Sequence, residues 1–153
     1  MFGSSRHGPT PRSRSRGQSV AEFALIVPVV LLIVLVGLDF GRLFYSWVTV
    51  TNAARVAANY ASLHPTGDFS VGSTYDSLVT DEARNPTCSV PTAPAPVFDD
   101  RDGNGISTDV SDDATVRVAC TFRILTPIIS GIVGSNVDIA ASSTFQIRIG
   151  VAE

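Results

Sequence analysis

The chain has 153 residues, of which 44% are hydrophobic and 16% are charged, and its formal net charge is −3. Residues 1–17 carry four arginines and no acidic residue, whereas residues 18–153 carry seven arginines against fourteen acidic residues. An acidic main body without a basic patch argues against nucleic-acid binding. The sequence offers no nucleophile-and-base set, glycine-rich phosphate loop or catalytic carboxylate pair, so we expect neither enzymatic activity nor a cofactor.

The N-terminal residues predict a basic leader peptide. Residues 1–17 are rich in Ser, Gly and Pro, and such a segment cannot bury a hydrophobic core. We therefore predict that they form a flexible leader rather than a domain. The positive charges of this leader are Arg6, Arg12, Arg14 and Arg16.

An apolar run follows the leader and predicts a membrane anchor. Residues 23–38 are sixteen residues without a charge, and a spanning helix needs about 20, so we place the anchor over about residues 22–44. A removable signal peptide is the less favoured alternative, because its apolar region is about 7–15 residues long and ends at a small-residue cleavage site. Arginines before the run predict a single pass, with the N-terminus cytoplasmic and the C-terminal part extracytoplasmic.

The helix is predicted to continue beyond the membrane. Residues 42–64 contain neither Gly nor Pro and are rich in alanine, which favours helix. We expect one helix from about residue 19 to residue 62, within a segment 18–62, with a bend or locally opened turn at Pro28. A row of small residues on this helix would allow close packing against either a partner helix or the chain's own outer domain. This row consists of Ala53, Ala54, Ala57, Ala58 and Ala61.

Asp39 and Arg42 are predicted to form an ion pair. They are three residues apart and so share one helix face. A pair of opposite charges at the outer edge of an anchor lowers the cost of placing each charge beside hydrocarbon. We favour this interfacial ion pair over a role in docking another subunit.

Residues 63–153 predict a small extracytoplasmic head domain. Residues 116–124 and 137–149 alternate apolar and polar side chains, the pattern of strands with one buried face. Between them, residues 126–134 are apolar and form either a short helix or a loop. The proline-rich residues 85–98 predict an extended loop. The predicted fold class is α+β, with a long N-terminal transmembrane and extracytoplasmic helix and a small antiparallel sheet packed on its outer half.

The two cysteines lie in the predicted head, Cys88 in the proline-rich loop and Cys120 in the first late strand. An extracytoplasmic location permits oxidation, so we expect a disulfide between them. Two cysteines without a nearby pair of histidines lack the ligand set of a zinc site, and no such metal site is expected there.

An acidic loop follows the prolines. Oxygen ligands at Asp100, Asp102 and Asn104, with Gly105 for the sharp turn, match the first half of a calcium loop. The second half does not match, because Ser111 stands where a bidentate Glu is expected. We favour a hairpin turn on Asn104-Gly105 and keep a calcium site as the weaker candidate. Its ligands would be Asp100, Asp102, Asn104 and Asp109.

The residues around Gly17 resemble those of a known protein family. Gly17, with Glu22 and Phe23 ahead of an apolar helix, resembles the processing site of type IV prepilins of the Flp class. The longer stretch 16–28, with Asp39-Phe40-Gly41-Arg42 and Ala53-Ala54-Arg55, resembles the TadE-like proteins of tight-adherence pilus systems. The resemblance is specific over residues 16–62 and only architectural, as a pilin-like fold, beyond them.

This resemblance implies a processed and assembled protein. A membrane prepilin peptidase would cut between Gly17 and Gln18, making Glu22 the fifth residue of the mature chain, followed by Phe23. The Glu22 carboxylate of one subunit could then compensate the new ammonium group at Gln18 of its neighbour. A simple interfacial role for the Glu22 charge is the alternative.

The implied function is that of a minor pilin or pseudopilin of a Flp-type pilus or secretion system, in the cell membrane or the pilus. The implied partners are the prepilin peptidase, other pilin or pseudopilin subunits, the inner-membrane assembly platform and membrane lipid. The alternative function is an anchored extracytoplasmic binding module, stabilised by calcium and outside any pilus.

Overall fold

A computed structural model of the chain describes residues 16–85, 87–88, 90 and 92–148. The predicted flexible leader with Arg6, Arg12 and Arg14, and the end of the second late strand, lie outside these residues. By their contacts, the residues form two compact units that divide between Leu35 and Val36. The described elements are α1 (Arg16–Leu63), α2 (Thr74–Glu82), β1 (Val97–Asp99), β2 (Asp113–Arg123), α3 (Pro127–Val133) and β3 (Asn136–Gln146).

The long N-terminal helix is confirmed. α1 has 48 residues and remains helical through Pro28. In the first unit its apolar side chains are largely exposed, as at Val20, Phe23 and Leu25. Among the described residues, α1 is the helix whose length and composition suffice to cross a membrane.

The second unit contains a three-stranded antiparallel sheet in the order β1-β2-β3. β2 pairs with β3 along its whole length, from Asp113 opposite Gln146 to Arg123 opposite Asn136. Along β2 the buried positions are all apolar and alternate with exposed or half-buried positions that are mostly polar, as the sequence predicts for a strand with one buried face. The predicted α+β class, a long helix followed by a small antiparallel sheet, is confirmed.

The core of this unit joins the alanine row of α1 to the sheet. All five alanines of the row are fully buried, and they belong to the same cluster as Val116, Val118 and Phe122 of β2. Alanine leaves room for a close approach of the packed elements. The small residues therefore serve the chain's own head, which decides between the two uses that the sequence left open.

Two elements were not predicted. α2 begins after Ser73, whose hydroxyl accepts a hydrogen bond from the Asp76 N–H at 3.2 Å. This Ser-x-x-Asp spacing is a helix-start signal that the sequence does contain. β1 has only three residues and exists through its pairing with β2, for example Val97 opposite Thr115. Between the two alternatives for residues 126–134, the structure has the short helix α3.

Tyr75 is a buried polar residue at the centre of this packing. Its side chain is fully buried, its hydroxyl donates a hydrogen bond to the Pro94 carbonyl at 2.6 Å, and its ring meets Phe69 edge-on. Burial, with a smaller contribution from the Asp76 charge, raises the pKa of Tyr75 from 10.0 to about 12. The fold therefore favours the neutral phenol.

This pKa predicts a loss of stability in alkali. The contribution of Tyr75 is complete below about pH 10, the unfolded-state pKa, and declines as the pH rises through about 12. We expect the free energy of unfolding to fall over this window in the wild type and to fall less in Tyr75→Phe, which cannot ionise. Chemical denaturation at several pH values measures it. Equal pH dependence in the two proteins would contradict the assignment.

Candidate functional site

The predicted cleavage site lies on an exposed stretch of helix in the first unit. Gly17, Gln18, Glu22 and Phe23 all belong to α1, and Phe23 is 69% exposed. The Gln18 side-chain amide donates a hydrogen bond to the Glu22 carboxylate at 3.3 Å. Apart from the helix's own backbone, no atom of the described residues lies within 4 Å of a Cβ built on Gly17. Packing against the described residues therefore does not require a glycine at this position.

The second unit brings Asp39 and Arg42 together. The Arg42 guanidinium donates a hydrogen bond to the Asp39 carboxylate at 3.1 Å, and Asp39 is only 7% exposed. The Arg42 guanidinium carbon also lies 5.3 Å from the centre of the Phe122 ring, within the range of a cation–π contact. The pair is therefore part of the head's packing as well as of helix α1.

The Asp39 carboxylate also holds the segment that precedes α3. It accepts hydrogen bonds from the Thr126 N–H at 2.8 Å, from the Thr126 hydroxyl at 2.5 Å and from the Leu125 N–H at 3.4 Å. We call Asp39, Arg42, Leu125 and Thr126 the Asp39 cluster. The sequence predicts its ion pair from local spacing, but it gives no signal for partners more than eighty residues away.

The comparison with known families concerns the segment that contains these residues. Residues 17–59 match the family model described as TadE-like protein. This segment is TadE-like. The match confirms the family resemblance that the sequence predicts, and it begins at Gly17. No curated protein and no solved structure matches the chain.

The TadE-like segment contains the predicted cleavage, charge-pairing and ion-pair residues. It also contains Ser46, a fully buried residue that sequence reasoning missed. The Ser46 hydroxyl lies 2.7 Å from the Thr87 hydroxyl and accepts a hydrogen bond from the Asn85 amide at 3.2 Å. These contacts fasten the proline-rich loop to the TadE-like helix.

The head beyond the TadE-like segment contains a disulfide. Cys88 and Cys120 are bonded, with their Cα atoms 5.6 Å apart and a sequence separation of 32. This Cα separation is typical of a disulfide. The bond connects the loop held by Ser46 to strand β2.

In the acidic loop, the carboxylates that lie close together are not the four ligands predicted for a calcium site. Asp100, Asp102 and Asp112 each place a carboxylate oxygen within 4.8 Å of the others, whereas the Asn104 amide donates a hydrogen bond to Asp109 at 2.6 Å. The Gly105 N–H, with other donors of the loop, lowers the pKa of Asp100. The hydrogen bond from Asn104 lowers the pKa of Asp109, but burial and the Asp112 carboxylate together raise that pKa above its usual value.

The turn in this loop is longer than predicted. Asp99 pairs with Asp113, so residues 100–112 connect β1 to β2. Asn104 and Gly105 lie inside this connection, so the expected two-residue hairpin turn between the strands is not formed there. Carboxylates of the loop bind its own backbone N–H groups, which stabilises a wide turn in place of a two-residue one.

Proposed function

We propose that this protein is a minor pilin or pseudopilin that acts in the assembly of a Flp-type pilus or related secretion system. The observation that carries the proposal is the TadE-like match over residues 17–59, which associates the chain with Tad/Flp pilus function. In this proposal the protein has no catalytic role of its own. A prepilin peptidase removes residues 1–17 by cutting between Gly17 and Gln18.

The proposed organisation has three parts. The leader, residues 1–17, precedes a helical segment, residues 18–62, and an extracytoplasmic head, residues 63–153. The helical segment contains a membrane anchor over about residues 22–44 that spans the membrane once, because a spanning helix needs about 20 apolar residues. The exposed apolar side chains of α1 in the first unit support the anchor.

The exposure of the Gly17–Gln18 bond supports processing at this site. The bond lies in the exposed first turns of α1, and none of the described residues crowds the Gly17 Cα. After cleavage, Glu22 is the fifth residue of the mature chain. Its carboxylate then compensates the Gln18 ammonium group of a neighbouring subunit, because opposite charges in a low-dielectric environment stabilise each other once both are desolvated.

Intact-mass measurement tests the cleavage. In cells that contain a prepilin peptidase, the wild-type chain should lose the mass of its first 17 residues, and Gly17→Leu should stay full length because the bulky side chain blocks the site. Gly37→Leu is the matched control, since Gly37 lies on the same helix with equally open surroundings, and it should be cleaved normally. A wild-type chain that keeps its full mass, or a cleaved Gly17→Leu chain, would overturn the proposed processing.

The same preparations test Glu22. Glu22→Ala should be cleaved like the wild type but recovered with pilus components at several-fold lower yield. Glu22→Gln, which keeps the shape and removes the charge, should behave like Glu22→Ala. Undiminished recovery of both variants would leave Glu22 as a simple interfacial charge.

A further inference from the structure

Helix α3 exposes apolar side chains instead of burying them. None of its residues is buried, and Ile128, Ile132 and Val133 are all more than half exposed, Ile132 at 80%. Leu125, just before the helix, is exposed as well. Residues 124–137 contain no charged side chain. We call Leu125, Ile128, Ile132 and Val133 the α3 patch; a contiguous apolar surface of this kind marks a contact with an apolar partner or phase.

The Asp39 cluster fixes the α3 patch next to the end of the predicted anchor. The Asp39 carboxylate binds the N–H groups of Leu125 and Thr126. In sequence, Asp39 directly follows the sixteen uncharged residues 23–38. A span needs about 20 residues, so the hydrocarbon reaches beyond Asp39 to about residue 43. The segment that Asp39 holds therefore lies at the depth of the outer leaflet.

Aromatic side chains on α1 locate the outer membrane interface independently. Tyr45 and Trp47 are both about half exposed, and such residues concentrate where hydrocarbon meets the headgroups. They come about two helical turns after Asp39. This order places the Asp39 cluster on the hydrocarbon side of the aromatic residues.

An apolar groove adjoins the same place. Its volume is about 180 Å³, and it is lined by Val36 and Phe40 of α1 and by Ile129 of α3, among others. Apart from Asp39, its lining residues are apolar. The groove is therefore continuous with the exposed apolar surface of α1, for example at Phe40, and has the chemistry of a site for lipid acyl chains.

We infer that the α3 patch is a second membrane contact of this chain, inserted in the outer leaflet, with lipid acyl chains covering the patch and the groove. The inference rests on the membrane anchor of the proposed function, but not on cleavage or pilus assembly. A second copy of the chain is the less suitable occupant, because α3 has only 7 residues and offers no extended packing stripe.

Fluorescent labelling in nanodiscs tests this contact. The full chain is prepared with its disulfide intact, so that a single introduced cysteine is the reactive thiol, and labelled with an environment-sensitive dye. Ile132→Cys reports on the α3 patch, Phe40→Cys on the anchor, and Val71→Cys, at 75% exposure in the loop after α1, on the aqueous side. We expect the dye at 132 to behave like the dye at 40, with blue-shifted emission that doxyl-labelled lipid quenches. Iodide should quench the dye at 132 several-fold less than the dye at 71.

The outcomes separate this inference from the proposed function. If the dye at 132 behaves like that at 71 while the dye at 40 reports lipid, the anchor stands and the α3 contact is wrong. If the dye at 40 also reports water, the anchor placement and the inference both fail. If the lipid-like signal at 132 disappears in nanodiscs that hold a single chain, a second copy covers the patch and the inference is overturned.

Discussion

Asp39→Ala should destabilise the second unit by about 3 kcal/mol. The substitution removes the carboxylate that accepts hydrogen bonds from the Thr126 N–H and hydroxyl, and the loss of a partner by a buried hydrogen-bonding group costs about 1–3 kcal/mol. It also removes the ion-pair partner of Arg42, which adds a further cost if the proposed anchor places this charge beside hydrocarbon. Chemical denaturation of the full chain in detergent micelles measures the change.

The chain supplies a matched control for Asp39. Asp81 and Arg84 form an ion pair with the same three-residue spacing, at 2.7 Å, but both side chains are mostly exposed. Asp81→Ala should therefore change the stability by less than about 1 kcal/mol. Asp39→Asn retains one carbonyl acceptor and should fall between these values. Equal effects of Asp39→Ala and Asp81→Ala would show that the Asp39 cluster contributes nothing beyond a surface pair.

Loss of the Cys88–Cys120 disulfide should cost a similar amount, about 3–4 kcal/mol, because the bond restricts the unfolded chain over a loop of 32 residues. The Cys88→Ala/Cys120→Ala double variant and the reduced wild type should both unfold at lower denaturant concentration than the oxidised protein. The oxidised protein should not react with a thiol reagent. Labelling of both cysteines without reduction, or an unchanged midpoint in the double variant, would contradict the prediction.

Local patterns suffice to predict the elements that carry strong periodicity. The uncharged run and the alanine-rich continuation predict α1, and two-residue alternation predicts β2 and β3. The ion pair of Asp39 with Arg42 follows from helix geometry alone. The disulfide is expected because both cysteines lie in the part of the chain that the sequence predicts to be extracytoplasmic, where oxidation is permitted.

The remaining features depend on distant parts of the chain. β1 is a three-residue strand that only its pairing with β2 defines, and the residues around it are prolines and acids with no strand pattern. The partnership of Asp39 with Thr126 spans 87 positions, and the contact of Tyr75 with Pro94 is made by an otherwise irregular loop. Such contacts are set by how the helix and sheet pack, which no local spacing encodes.

The burial of the alanine row also has a mechanical consequence. Because residues 53–61 of α1 form one wall of the head's core, the helix and the sheet of the second unit are packed directly against each other in the described part of the chain. A force applied along α1 at its entry into this unit is passed directly to the sheet and to the loop that the disulfide holds. A pull or a rotation applied to this part of α1 therefore moves the sheet together with the helix.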